Sequence, residues 1–281
     1  MTREGTSEQV WFVTGSSRGL GRAVAEAALD AGHQVAVTAR STASLTELSA
    51  RYGKKALLLP LDVTDLEQVA HTVKTTVEAF GRIDVVVNNV SRATIAPVEH
   101  VPIDDFRAQV EAIFYGTVNV TKAALPVFRD QGSGHFIQVA SAGGRLSTPG
   151  LSAFHAAKHA IEGFSKVLAK EVSRLGIRVT IAEPGAMRTN WGRMAIRTPP
   201  IDPAYDRTVG TMISRTSAVA GYEPVDPAKV ARTLLDVAQL PEPPLHLVLG
   251  RDAVDEVQEE VKRQLHEDSR WAWIGRSVDF V

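Results

Sequence analysis

Ser141, Phe154 and Lys158 have the residue types and spacing from which chemistry can first be read. Gly150-Leu-Ser-Ala-Phe-His-Ala-Ala-Lys158 reads as a helix start, and residues four apart on a helix share a face. A phenol stacked on an ammonium in that way is a proton donor, because the cation stabilises the phenolate and lowers the phenol's pKa. Phe154 has the same ring and no proton to give. A second chemical segment is Thr14-Gly-Ser-Ser-Arg-Gly-Leu-Gly21. Glycines there permit a tight turn, and a helix opening at such a turn aims N–H groups and its positive end at a phosphate.

These segments need a scaffold, and the chain predicts one. Short Val-, Ile- and Leu-rich runs alternate with helical patterns. Expected strands are Val10 to Thr14, Gln34 to Ala39, Ala56 to Leu61, Ile83 to Asn88, His135 to Ala140, Arg178 to Ala182 and His246 to Leu249. Expected helices run from the glycine turn to Asp30, and over Thr42 to Tyr52, Asp65 to Phe80, Ile103 to Gln131 and Ala153 to Leu175. Strands apolar on both faces belong to a parallel sheet covered by helices. The alternation implies right-handed crossovers and a Rossmann-type doubly wound α/β sheet of about seven strands, in a single domain.

The motifs then carry a family resemblance over essentially the whole chain. Thr14-Gly15-x-x-x-Gly19-x-Gly21 resembles the cofactor motif of the short-chain dehydrogenase/reductase family. Asp62-Val63 resembles its adenine-contacting pair, and Asn88-Asn89-Val90-Ser91 its Asn-Asn-Ala-Gly. Ser141 stands thirteen residues before Phe154, the family's spacing of catalytic serine and tyrosine. Pro184-Gly185-Ala-Met-Arg-Thr189 resembles the segment that holds the nicotinamide carboxamide. The resemblance implies a nicotinamide cofactor bound by Thr14, Gly15, Ser17, Arg18, Gly19, Leu20 and Gly21 in the turn. Further contacts would come from Arg40, Asp62, Val63, Asn89, Pro184, Gly185 and Thr189. In the family Ser polarises a carbonyl, Tyr transfers the proton and Lys binds the nicotinamide ribose. Here Ser141 and Lys158 are kept, Phe154 takes the Tyr place, Ile113 takes the place of a water-holding Asn, and Val90-Ser91 replaces Ala-Gly. The Tyr-to-Phe exchange is compatible with an engineered substitution or a natural one; the other two departures fit engineering poorly.

The phosphate preference has a physical argument. NAD sites place a carboxylate at the end of the second strand, whereas this chain has Ala39 followed by Arg40, with Arg18 in the turn. Two guanidiniums can bracket a 2′-phosphate, which predicts NADP(H). No neighbour in sequence replaces the missing acid. His155 and His159 are each rotated about 100° from the residue before them and face elsewhere, Tyr115 reads as a core or interface aromatic, and Arg92 as a solvated arginine. Three functions remain open: an NADP(H)-dependent oxidoreductase with altered proton transfer, a non-redox cyclase, isomerase or dehydratase, and a silent NADP(H)-binding protein.

Met187 to Val225 breaks the rhythm with Thr198-Pro-Pro-Ile-Asp-Pro203 and Gly221-Tyr-Glu-Pro224, as lids and substrate loops do. Met187, Trp191, Met194, Tyr205 and Met212 suggest an apolar pocket wall for a small organic substrate. Asp252 to Asp268 predicts an amphipathic helix, followed by Trp271 and Trp273, which pack on the body or on a neighbouring subunit. A net charge of −1 gives no reason to expect nucleic acid or a membrane surface, and zero cysteines exclude a thiolate nucleophile, disulfides and Cys-ligated metal. The polar N-terminus and the lack of a long apolar run point to a cytoplasmic protein. Apolar periodicity over Phe106 to Phe128 and Phe154 to Leu175, with the family's usual helix pairing, predicts a homodimer or homotetramer.

Overall fold

Alternation along β1 (Val10–Val13) sets the two sides of the molecule. Trp11 and Val13 turn into one core and Phe12 into the other, because successive Cβ atoms of a strand point to opposite faces. Burying Trp11 and Phe12 completely contributes roughly 2–3 kcal/mol each. β2 (Gln34–Ala39), β3 (Ala56–Pro60), β4 (Val85–Asn88), β5 (Gly134–Val139), β6 (Ile177–Pro184) and β7 (His246–Leu249) complete the sheet. Its seven strands run in the order β3-β2-β1-β4-β5-β6-β7, all pairs parallel. The strand order reverses between β1 and β4, and a crevice opens there at the strands' carboxyl ends. The computed structural model describes residues 8–191 and 200–280.

Helix α1 (Gly19–Asp30) covers the first face with Leu20, Val24 and Ala28. On the opposite face lie α3 (Leu66–Phe80), α5 (Gly116–Gln131) and α6 (Ser152–Val172), after α2 (Thr46–Tyr52) and α4 (Ile103–Val110) in chain order. The Asp65 side chain accepts from the N–H groups of Glu67 and Gln68 and so caps α3, which ends at left-handed Gly81. Phe128 shows why β5 starts with glycine: a Cβ on Gly134 would overlap the Phe128 ring, which packs 4.7 Å from the ring of Phe136.

Three expectations are corrected. The helix expected over Ile103 to Gln131 is helical throughout but widens to a π turn at Glu111–Tyr115. In the stretch from Met187 to Val225, the described residues from 200 on are less irregular than the prolines suggest. It contains a 3-10 turn Pro203–Tyr205, a π turn Asp206–Gly210 and helix α7 (Thr211–Val219), and α8 (Pro227–Ala238) follows. Met194 lies outside the described residues. The final helix, α9 (Arg251–Arg276), is longer than expected and takes in Trp271 and Trp273, which are 46% and 68% exposed rather than packed on the body. Nothing between Asp268 and Ile274 breaks a helix, so propensity carries it on. Among the described residues no helix is long and apolar enough to cross a membrane.

Candidate nucleotide and catalytic site

Two left-handed glycines, Gly15 at φ 68° and Gly19 at φ 60°, bend the chain between β1 and α1. Ser16 pins the bend: its hydroxyl donates to Val13 O at 2.9 Å and its N–H to Thr38 O at 2.8 Å. Asn89, after β4, holds the turn from the other side. Its amide donates to Thr14 O at 3.1 Å and Gly15 O at 3.4 Å, and its backbone N–H to Thr14 Oγ1 at 2.8 Å. Thr14 and Asn89 therefore shape the turn, and Leu20 sends its side chain into the core. Ser17, half-buried, and Arg18, exposed, are left at the rim. No acidic side chain occupies the first turn of α1, so its N–H groups can receive an anion.

Gly21 has no room for a side chain. A Cβ there would overlap the Asn89 amide and stand 2.5 Å from Gly15 O. We expect Gly21→Ala to cost about 2 kcal/mol and lower the thermal midpoint by roughly 5 °C, measured by calorimetric unfolding without ligand. An unchanged midpoint would show that the turn tolerates displacement.

The other expected cofactor residues gather around this turn. Asp62 accepts from Thr64 N–H and Oγ1 at 3.0 and 2.8 Å, which stiffens the loop after β3. Val63 is buried against Gly116, where a Cβ would overlap its side chain, and Val63 O accepts from Asn119 at 3.0 Å. The Thr189 methyl lies 3.7 Å from where a Gly19 Cβ would stand, so the segment after Pro184 and Gly185 closes onto the glycine turn. Arg40 is exposed like Arg18, and neither has a bond partner among the described residues. Arg22 nearby is already paired with Glu26 at 2.7 Å and Glu47 at 3.3 Å. Two left-handed glycines, a third with no space for a Cβ and an open helix terminus together fit a dinucleotide, beside two guanidiniums unpaired among the described residues.

The residues expected to be catalytic meet where β5 and β6 end. Ser141 Oγ accepts from Gly143 N–H at 3.1 Å and donates a long bond to Pro184 O at 3.4 Å, which a better acceptor can replace. Phe154 is 8% exposed, with Trp191 at 5.3 Å and His155 at 5.6 Å between ring centres. Lys158 is buried; its Nζ donates to Val139 O at 2.7 Å and lies 5.7 Å over the Phe154 ring. Burial lowers its pKa to about 7, with Glu162 drawing it partly back. Ile113 is fully buried in the π turn, and its carbonyl accepts from Thr117 Oγ1 at 2.8 Å.

His155 lies nearer the serine turn than its helical position implies, and Tyr115 is not a core aromatic. His155 packs under the serine turn, with Nδ1 2.6 Å from Gly143 O, and burial lowers its pKa. His159 is exposed, with Nδ1 2.9 Å from His155 O. Arg92 is tied to Asp105 at 2.6 Å, and Tyr115 is 49% exposed beside Phe114. Of the residues expected to wall a pocket, Trp191, Tyr205 and Met212 pack with buried Val209 in the cluster that holds Phe154, and the Tyr205 hydroxyl donates to Glu99 at 2.7 Å. Met187 packs in the core beneath the glycine turn instead. Sequence spacing gave no sign of two polar clusters. Asn88 bonds Thr121 at 3.2 Å and Gln138 at 2.9 Å inside the sheet, and Arg145, Glu162, Glu183 and His246 meet behind Lys158.

Known proteins resemble this arrangement. A family model described as short chain dehydrogenase matches residues 9–198. Oxidoreductase BOA17 of Botryotinia fuckeliana is 47% identical over 264 residues, covering 94% of this chain and 96% of that protein. The crystal structure of a short-chain dehydrogenase from Streptomyces avermitilis superposes with a TM-score of 0.91 at 39% identity, covering 98% of this chain and all of that one. A short chain dehydrogenase from Burkholderia cenocepacia, crystallised with NADP, shares the fold with a TM-score of 0.74 at 23% identity, over 94% and 97% of the two chains.

Proposed function

Because the chain belongs to the short-chain dehydrogenase family, we propose that it is an NADP(H)-dependent oxidoreductase for a small, largely apolar substrate, with proton transfer altered at Phe154. The observation that carries this reading is the pairing of a complete dinucleotide cradle with an aromatic ring that has no proton at the reacting end. The glycine turn and the start of α1 hold the diphosphate, Arg18 and Arg40 the 2′-phosphate, and Thr189 with the Pro184-Gly185 segment the carboxamide. Lys158 holds ribose hydroxyls. When bound, the nicotinamide supplies hydride. Ser141 orients the substrate's polar atom by giving up its long bond to Pro184 O. Phe154 and Trp191 exclude water from that place.

A positioned general acid contributes typically 10²–10⁴-fold, so plain ketone reduction lacks about 3–5 kcal/mol of barrier lowering. Activated alkenes and iminium ions need less help, because charge or conjugation already favours hydride acceptance. The same apolar pair, Phe154 and buried Ile113, favours as the alternative a non-redox enzyme that keeps the cleft and abandons the hydride step.

Calorimetry with NADPH and NADH, followed by NADPH absorbance with a panel of ketones, enones and iminium ions, tests the reading. We expect NADPH to bind more tightly than NADH and to be oxidised by the activated substrates first. Product formed without net oxidation would select the non-redox alternative, and no NADPH uptake would end the reading.

A further inference from the structure

Behind the catalytic lysine lies a cluster of buried acids that the cofactor reading leaves unused. Glu162 projects from α6 one turn beyond Lys158, Glu183 from β6 and His246 from β7. Glu162 is 3% exposed and Glu183 fully buried. One ligand-type atom from each of the three lies within 4.8 Å of the other two. Glu183 Oε1 is well served: it accepts from Arg145 at 2.7 Å and meets His246 Nδ1 at 2.7 Å. Both Glu162 oxygens and Glu183 Oε2 are buried without a hydrogen-bond partner among the described residues. His246 Nδ1 is 3.5 Å from Glu162 Oε2, and its side chain is 30% exposed.

Two ionised carboxylates facing each other out of water cost several kcal/mol. Either a cation or a proton must relieve that cost. Charge decides between them. Arg145 already holds Glu183, Lys166 stands 4.0 Å from Glu162, and Glu162 acts on buried Lys158. A divalent ion would add two positive charges where Arg145 and Lys166 already face the two carboxylates, whereas a proton on one carboxyl removes the repulsion and supplies the missing donor.

We propose that Glu162, Glu183 and His246 form a proton-loading site that holds one exchangeable proton and thereby sets the charge beside Lys158, the acid in place of the absent phenol. The assignment of Lys158 as acid rests on the reductase reading; the loading site itself does not. As hydride reaches the substrate carbon, the electron pair moves onto its oxygen or nitrogen, which takes a proton from the Lys158 ammonium. The neutral amine recovers its proton from solvent, and the proton held by the carboxyls decides how strongly Glu162 favours the ammonium. One hydride and one proton thus reduce one double bond.

The titration behaviour agrees with this arrangement. Burial and then Glu183 raise the Glu162 pKa to about 7, against the pull of Lys166, Arg145 and Lys158. Lys158 falls to about 7 by burial, so a change of charge on Glu162 acts on Lys158 in the pH range where Lys158 itself titrates.

NMR titration of the protein without cofactor, labelled with ¹³C in glutamate and lysine side chains, tests the site. One glutamate carboxyl should titrate near neutral pH, and its signal should vanish in Glu162→Gln, which mimics the protonated form and so preserves the fold. In that variant the Lys158 midpoint should drop by roughly half a unit or more, because a carboxylate that favours the ammonium is gone. If all glutamates titrate below about pH 5.5, or the Lys158 midpoint stays put, the proposal is wrong. Stoichiometric zinc uptake that Glu162→Gln abolishes would overturn it as well, by giving the carboxylates a metal. With an oxidising substrate in hand, the fall of kcat with rising pH should move to lower pH in Glu162→Gln at constant KM, and Glu162→Asp should restore part of it. Wild-type protein that does not oxidise NADPH would overturn the acid role of Lys158 while leaving the carboxyl titration readable.

Discussion

Phe154→Tyr is expected to raise NADPH-dependent reduction of simple ketones by roughly 10²–10⁴-fold, the usual worth of a positioned acid. The surroundings are ready for a phenol. Lys158 Nζ sits 5.7 Å over the ring, where its charge lowers the pKa of a hydroxyl added to that ring. Ser141 stands at the end of β5, free to hold the substrate oxygen. What the site still lacks is polar support from the π turn, because Ile113 is fully buried. The single variant should therefore reach the lower end of the range and Phe154→Tyr with Ile113→Asn the upper end. The second change buries an amide that must find partners, at about 1–3 kcal/mol of stability if it does not. Absorbance at saturating NADPH reads both. If each variant binds NADPH and neither reduces any ketone, the cleft does not perform hydride transfer to carbonyls, and the non-redox alternative takes over.

The second large effect concerns the cofactor's phosphate. Replacing Arg18 and Arg40 together by Ala should weaken NADPH binding by 10²-fold or more, since each charge-assisted bond is worth roughly 1.5–3 kcal/mol. NADH should change only a few-fold. The difference arises because neither arginine is committed elsewhere among the described residues, whereas Arg22 is locked to Glu26 and Glu47. Both are exposed, so rising salt should erode the NADPH preference as well. Calorimetric titration of both dinucleotides against wild type and the double variant measures this. Unchanged NADPH affinity would remove the two arginines as the origin of any phosphate preference.

The likeness between expectation and fold is greatest where a feature is complete within a short segment. A run such as Val85-Val-Val-Asn88 is a buried parallel strand whatever else happens, because only such a strand is apolar on both faces. The glycine turn is readable for the same reason, since its positive φ values and its forbidden Cβ at Gly21 are local needs. The π turn at Glu111–Tyr115 has no such signature: one extra residue per turn changes no residue type. Of the two places expected for Trp271 and Trp273, their exposure on helix α9 removes the body of the same chain.

By itself the sequence determined the parallel sheet, the glycine turn and the ring without a proton at 154, because periodicity and turn chemistry act over a few residues. Only the tertiary structure decided which side chains become neighbours. The register that sets Ile181 beside His246 and Glu183 beside Val248 brings two strands' polar groups together, and α6 packed across them adds Glu162. Arg145 arrives from the turn after β5. Residues from four elements share no spacing in the chain, and their protonation depends on burial and mutual distance, which exist only once the sheet has closed over them.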